Sequence, residues 1–113
     1  MEELEQKTYL YTVQGIGLVK SLEKHYPELA SQELKGSIGA VSLKYLAALQ
    51  AKENTEFAKN LRESNSNAKK SLEILESLKG IKEKDFVELK NELIDEAKYL
   101  VDRLDKVIEK LIF

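Results

Sequence analysis

The sequence contains no cysteine and no tryptophan, and it has only one histidine and one proline. Without cysteine there are no disulfides, thiol nucleophiles or cysteine-ligated metals. A single imidazole, His25, cannot supply the two Glu-x-x-His motifs that di-iron bundles require. We therefore interpret the chain as a non-enzymatic protein and assign it no catalytic residue, metal or cofactor.

Long apolar runs and an excess of charge of one sign are also missing. The 18 basic and 20 acidic residues give a net charge of −2, whereas nucleic-acid-binding domains usually concentrate cations on one face. No apolar run approaches the ~20 residues that cross a membrane. The acidic start, Met1 to Glu5, does not resemble a signal peptide. We expect a cytoplasmic protein without a membrane segment, and nucleic acid is a less favoured partner than protein.

What the sequence does contain is helical periodicity, which is clearest near its C-terminal end. Between residues 86 and 111 no glycine or proline occurs, and apolar residues recur every three or four positions. They are Phe86, Leu89, Leu93, Ala97, Leu100, Leu104, Val107 and Leu111. Such a broad apolar face is typical of a helix packed against other helices. The pattern predicts a helix over about residues 83–112.

The rest of the chain predicts three further helices, over about residues 2–26, 31–52 and 55–79. Pro27 ends the first, because the residue before a proline is pushed out of the α-helical region. Gly80 provides a stop between the third and the fourth. A length of 113 residues is typical of one domain. We therefore predict an all-α fold, an antiparallel up-down four-helix bundle that occupies residues 1–113 as a single domain.

The second helix carries more apolar residues than a monomeric bundle needs. Its main row consists of Leu34, Ile38, Val41, Tyr45 and Ala48. Leu43, Leu46 and Leu49 lie on the other side. A helix that is apolar on nearly all sides is buried on nearly all sides. We therefore predict a homo-oligomer formed through the second helix with help from the first, with Leu43, Leu46 and Leu49 as anchors and Tyr45 as the next candidate.

A polar tract interrupts the third helix. It includes Asn60, Ser64, Asn65 and Asn67. The favoured interpretation is a kinked or solvated turn of helix. The alternative is a polar surface that binds a partner, because amides and hydroxyls can recognise a partner without charge.

Several short runs resemble the four-helix-bundle family of 23S rRNA intervening-sequence proteins, to which the accessory variability determinant of diversity-generating retroelements is similar. Pro27 follows the first helix, as in the family. The segment from Ile38 through Ala40-Val41-Ser42-Leu43 resembles the family's I-x-x-A-x-S-I run. Glu56-Phe57 with Leu61 resembles E-F-x-x-x-L, and Leu78-Lys79-Gly80-Ile81 resembles L-G-Y-I.

This resemblance implies a ring-shaped homopentamer, and it leaves two roles open. The first is a binding or scaffolding module that presents several copies of one face to a protein partner. The alternative is an accessory protein of a nucleic-acid-processing complex, associated with ribosomal RNA or a retroelement reverse transcriptase. That role would require basic residues of neighbouring subunits to converge. The candidates are Lys20, Lys24, Lys52, Lys59, Arg62, Lys69 and Lys70.

Overall fold

The computed structural model describes residues 2–111 and contains four α-helices. They are α1 (Glu2–His25), α2 (Gln32–Gln50), α3 (Asn54–Ser77) and α4 (Lys84–Glu109). The ends lie within three residues of the predicted ones. The predicted last residue of the fourth helix, 112, lies outside the described residues. The predicted all-α four-helix bundle is confirmed.

The helix ends follow from local chemistry. The Ser31 side chain accepts a hydrogen bond from the Leu34 amide (3.1 Å), which caps the start of α2. α3 ends at Ser77 because Leu78 is already extended, two residues earlier than the predicted stop. Gly80 adopts a φ of 90°, in the left-handed region that favours glycine, and so turns the chain toward α4.

Each helix packs against two neighbours: α1 against α2, α2 against α3, α3 against α4, and α4 back against α1. This order is that of an up-down bundle, in which short connections place consecutive helices side by side. The bundle is elongated, with extents of 46 × 21 × 20 Å. The main row of α2, from Leu34 to Ala48, faces inward and is buried in the core, together with a row from each of the other helices.

A buried hydrogen bond also links α1 to α3, which lie diagonally opposite each other in the bundle. The hydroxyls of Tyr11 on α1 and Ser71 on α3 lie 2.6 Å apart. Ser71 donates its single hydroxyl hydrogen to the carbonyl of Ala68 (2.9 Å), so the phenol is the donor to Ser71. Burial raises the pKa of Tyr11 to about 12.

At each end of the bundle, a hydrogen bond donated by a tyrosine links two elements of the fold. Tyr26 donates to the Glu83 carboxylate and accepts from the Lys82 amide (3.0 Å), which joins the α1–α2 and α3–α4 connections. Its bond lowers the pKa of Glu83 and raises that of Tyr26. At the other end, Tyr99 on α4 donates to the carboxylate of Glu3 on α1.

The backbone of α1 lies close to α2 at Gly15. A β-carbon there would lie 2.7 Å from Cγ2 and 2.9 Å from Cδ1 of Ile38, whose side chain is fully buried. The Thr12 hydroxyl donates to the Ile38 carbonyl in the same region (3.0 Å). Glycine at position 15 therefore sets the distance between the two helices.

We expect Gly15→Ala to lower the free energy of unfolding, whereas Gly17→Ala should raise it. Alanine favours a helix over glycine by about 1 kcal/mol at either position. At Gly15 this gain is outweighed by overpacking against Ile38, which costs about 1–3 kcal/mol. Gly17 is exposed with no atom near its missing β-carbon, so it serves as the matched control. Urea denaturation of both variants would measure the difference, and equal stabilisation would contradict the close contact.

Stability should fall between pH 10 and pH 12 because of Tyr11. Its pKa in the folded state is about 12 and about 10 in the unfolded chain. The unfolded state therefore loses its proton first as the pH rises, and this lowers the free energy of unfolding by about 2–3 kcal/mol. Tyr11→Phe removes this contribution and costs about 1 kcal/mol at pH 7 through the lost hydrogen bond. The stability gap between wild type and variant should therefore close as the pH rises and reverse by pH 12, where the variant should be the more stable of the two. Parallel pH curves would contradict the burial of the phenol.

Candidate functional site

The most unusual surface of the bundle is an apolar face on α1 and α2. Among the described residues, every large apolar side chain that is exposed lies on one of these two helices. They are Tyr9, Leu10 and Val13 on α1, and Leu43, Leu46 and Leu49 on α2. We call these six residues the apolar face. Leu43 is the most exposed, at 67%.

The apolar face exists because α2 has two apolar sides. The inward row of α2 is at most 1% exposed in the bundle. Leu43 and Leu46 do not follow the three- and four-residue spacing of that row. Their side chains therefore face away from the core. On α1, Val13 follows Tyr9 and Leu10 at helical spacings of four and three, which places the three on one side of the helix.

A cleft separates α1 from α2 within the apolar face. It has a volume of about 360 Å³ and is lined by Glu5, Gln6 and Tyr9 of α1 and by Ser42 and Leu46 of α2. A carboxylate, an amide and two hydroxyls therefore stand beside an aromatic ring and a leucine side chain. A mixed lining of this kind suits a side chain or segment of another protein.

The structure separates the residues predicted for the subunit contact. Leu43, Leu46 and Leu49 are at the surface. Tyr45 is fully buried inside the bundle, and burial raises its pKa to about 12. Because its ring belongs to the inward row of α2, its prediction as a contact residue is wrong for this subunit.

The three members of the apolar face on α1, Tyr9, Leu10 and Val13, are residues that we did not predict for the contact. The sequence offered a signal, because Leu10 lies three residues before Val13 on the first helix. In a helix so rich in apolar residues, however, spacing alone does not tell which of two adjacent residues, such as Leu10 and Tyr11, turns inward. Tyr11 is buried and Leu10 is half-exposed.

The polar tract of α3 forms neither a break in the helix nor a single exposed surface. Ser64 is fully buried and donates to the carbonyl of Val41 on α2 (2.7 Å). Asn65 is also buried, at 5% exposure. Asn60 and Asn67 donate to carbonyls of their own helix, at Glu56 and Glu63. The four residues therefore do not present one patch to a partner, and α3 continues through them without interruption.

Asn65 joins α3 to α4 through a charged neighbour. Its amide nitrogen donates to the Asp105 carboxylate (2.7 Å), which also pairs with Lys69 (3.2 Å). The bond from Asn65, with a further contribution from Lys69, lowers the pKa of Asp105. The amide oxygen of Asn65 is buried and has no hydrogen-bond partner within the described chain. This arrangement orients α3 on α4 and leaves little of Asn65 for a ligand.

The basic residues proposed for nucleic-acid contacts are spread along the bundle. Lys20 and Lys24 lie near the end of α1, whereas Lys52, Lys59 and Arg62 lie around the α2–α3 connection at the opposite end. Lys69 and Lys70 are already paired with acids, Lys69 with Asp105 and Lys70 with Glu33 at 3.3 Å. One subunit therefore does not gather the seven cations into a patch.

The described residues show neither a metal site nor a membrane segment. Across residues 2–111, no three acidic, histidine or cysteine side chains come together in a way that could hold a metal ion. Within the same range, none of the helices is long and apolar enough to cross a membrane.

The fold is similar to that of a solved protein. A protein with unknown function from the S23 ribosomal protein family of Bacteroides thetaiotaomicron superimposes with a TM-score of 0.83. The match covers 95% of this chain and 99% of that one, at 18% sequence identity. Neither a protein-family model nor a curated protein matches this sequence. At this identity, the similarity establishes the four-helix fold.

A matched pair of serine variants would test the structural role of the polar tract. Ser64→Ala should lower the free energy of unfolding by about 1 kcal/mol, because it removes a buried hydrogen bond to Val41. Ser66 is exposed on the same helix, so Ser66→Ala should be neutral or stabilising by a few tenths of a kcal/mol. Chemical denaturation measures both. If Ser64→Ala were as stable as Ser66→Ala, the bond between α3 and α2 would contribute nothing.

Proposed function

We propose that this protein is a non-enzymatic scaffold that assembles from several copies of itself through the apolar face. The observation that carries the proposal is that, within residues 2–111, all six exposed large apolar residues lie on α1 and α2. Exposed apolar side chains scattered over a surface need no explanation, but a set confined to two neighbouring helices is typical of an interaction site. In the assembly the six side chains contact those of a neighbouring copy.

Burial of the apolar face would supply part of the free energy that a contact between copies requires. Fully burying one leucine or valine side chain contributes about 1.5–3 kcal/mol. Six partly exposed residues on each copy therefore contribute on the order of several kcal/mol, before the cost of association is subtracted. No other large apolar side chain is exposed in the described part of the chain.

A family assignment and a subunit number belong to the same proposal. We assign the chain to the four-helix proteins of the 23S rRNA intervening-sequence family. The overlap in fold with a protein of the S23 ribosomal protein family supports this assignment. The sequence resemblance implies five copies in a ring. Assembly through α1 and α2 would leave the outer sides of α3 and α4, which are rich in charged residues, to present repeated copies of one surface to a protein partner.

Light scattering coupled to size-exclusion chromatography tests the proposal. The wild type should elute at a multiple of the 12.9 kDa monomer mass, and five times that mass is the expected value. Leu46→Asp should shift the protein to the monomer, because it places an unpaired carboxylate in a dry contact. Asn91→Asp adds the same charge to an exposed position of α4 and should leave the mass unchanged.

Either of two results would contradict self-assembly through this face. One is a wild-type protein that stays monomeric at high concentration. The other is a Leu46→Asp variant that keeps the wild-type mass.

A further inference from the structure

We infer that the cleft between α1 and α2 binds a guanidinium group carried on a methylene chain, which is the chemistry of an arginine side chain. The cleft, of about 360 Å³, is formed within a single subunit. The inference therefore goes beyond the proposed assembly and does not depend on it. Three observations support it: a buried serine without a hydrogen-bond partner, a carboxylate without a cation, and an exposed aromatic ring beside them.

The first observation is the hydroxyl of Ser42. Only 7% of this residue is exposed, and it lines the cleft. Every other buried serine in residues 2–111 donates to a backbone carbonyl; these are Ser37, Ser64 and Ser71. Ser42 forms no hydrogen bond within the same range. Because buried hydroxyls are normally paired, we expect the Ser42 hydroxyl to bond to a group that enters the cleft.

The second observation is the unpaired negative charge of Glu5. Its side chain is exposed, lines the cleft and forms no ion pair in the described chain. Two lysines adjacent in sequence to this region bond elsewhere. Lys7 pairs with Glu96 on α4 (3.8 Å), and Lys44 pairs with Glu63 on α3 (2.9 Å). The residues that line the cleft therefore offer one carboxylate and no base, which favours a cationic ligand.

The charge of Glu5 acts across the gap between the two helices. Burial is the main cause of the raised pKa of Tyr45 on α2, and the charge of Glu5 adds to it. The carboxylate on α1 therefore lies close enough to α2 to influence a group on that helix. A cation held between α1 and α2 would lie in the same field.

The third observation favours a guanidinium over an ammonium group. The ring of Tyr9 lines the cleft and is 59% exposed. A planar guanidinium stacks on an aromatic face and donates up to five hydrogen bonds, whereas an ammonium is a compact point charge. Acceptors are present in the carboxylate of Glu5, the amide of Gln6 and the hydroxyl of Ser42. Leu46 offers an apolar contact to the methylene chain.

The cleft and the apolar face share two residues, Tyr9 and Leu46. In the proposed assembly, a neighbouring copy that contacts them would cover the mouth of the cleft. Binding should therefore be measured with the wild type and with Leu43→Asn. This substitution removes the most exposed leucine, adds no charge and keeps every residue that lines the cleft.

Isothermal titration calorimetry with Nα-acetyl-arginine amide tests the inference. The probe should bind saturably, and its citrulline analogue, which has a similar shape without the charge, should bind at least about tenfold more weakly. The lysine analogue should also bind more weakly, because it cannot stack as a plane. Free arginine and a short peptide with one central arginine distinguish the sources of the group. Tighter binding of the peptide indicates a protein partner, and tighter binding of free arginine indicates a small molecule.

Two variants with matched controls locate the site. Glu5→Gln should weaken binding by about tenfold, because it removes a charge-assisted hydrogen bond. Glu23→Gln removes the same charge from an exposed position at the other end of α1 and should leave the affinity unchanged. Ser42→Ala should weaken binding by about fivefold. Unlike Ser64→Ala, it should not lower the free energy of unfolding, because its hydroxyl has no partner in the subunit.

The contrary results separate this inference from the proposed function. Absence of saturable binding to both the wild type and Leu43→Asn would overturn the inference, whereas the assembly is judged by mass alone. Equal affinity for the arginine and citrulline probes would also overturn it, as would an unchanged affinity in Glu5→Gln. Binding to Leu43→Asn alone would support the site and show that a neighbouring copy covers it. A wild type that is monomeric and binds the probe would contradict the proposed assembly and support the inference.

Discussion

The close contact between α1 and α2 at Gly15 is the constraint on which the other features depend. Because Gly15 has no side chain, Ile38 fits against the α1 backbone, and the two helices pack at a fixed distance and a fixed level. That level places Tyr9 beside Leu46 in one cleft. It also turns the second apolar side of α2 outward, next to the exposed residues of α1. The apolar face is thus a product of how two helices pack, as well as of what each contains.

Much of the fold could be predicted because helix periodicity is a local property. The row Leu93, Ala97, Leu100 and Leu104 is buried as its spacing indicates, and Pro27 and Gly80 lie in connections. The candidate site was harder. Leu43 and Leu46 were identified because they lie on the side of α2 opposite its main row. Tyr45 was placed in the main row and also named as a contact candidate, but its side chain is buried in the core. Spacing shows which residues share a side of a helix, but only packing decides which side is covered.

The polar tract of α3 shows a different limit of sequence analysis. Serine and asparagine are poor helix formers and usually solvated, so a run of them suggested a turn or a surface. In the fold they bond to their neighbours instead: Ser64 to the α2 backbone and Asn65 to Asp105 of α4. Such bonds require partners from distant parts of the sequence. These bonds help to fix the position of α3 between α2 and α4, which apolar contacts alone specify poorly.

The contact between Glu3 and Tyr99 brings the beginning of α1 next to the last turns of α4. An even number of antiparallel helices returns the chain to the side from which it started. In an assembly whose copies all point the same way, the first turn of α1 and the last turn of α4 of every copy would therefore lie on one rim. A ligand attached to either of these turns would form a cluster on that rim, whereas the α1–α2 and α3–α4 connections, with Tyr26 and Glu83, would lie on the opposite rim.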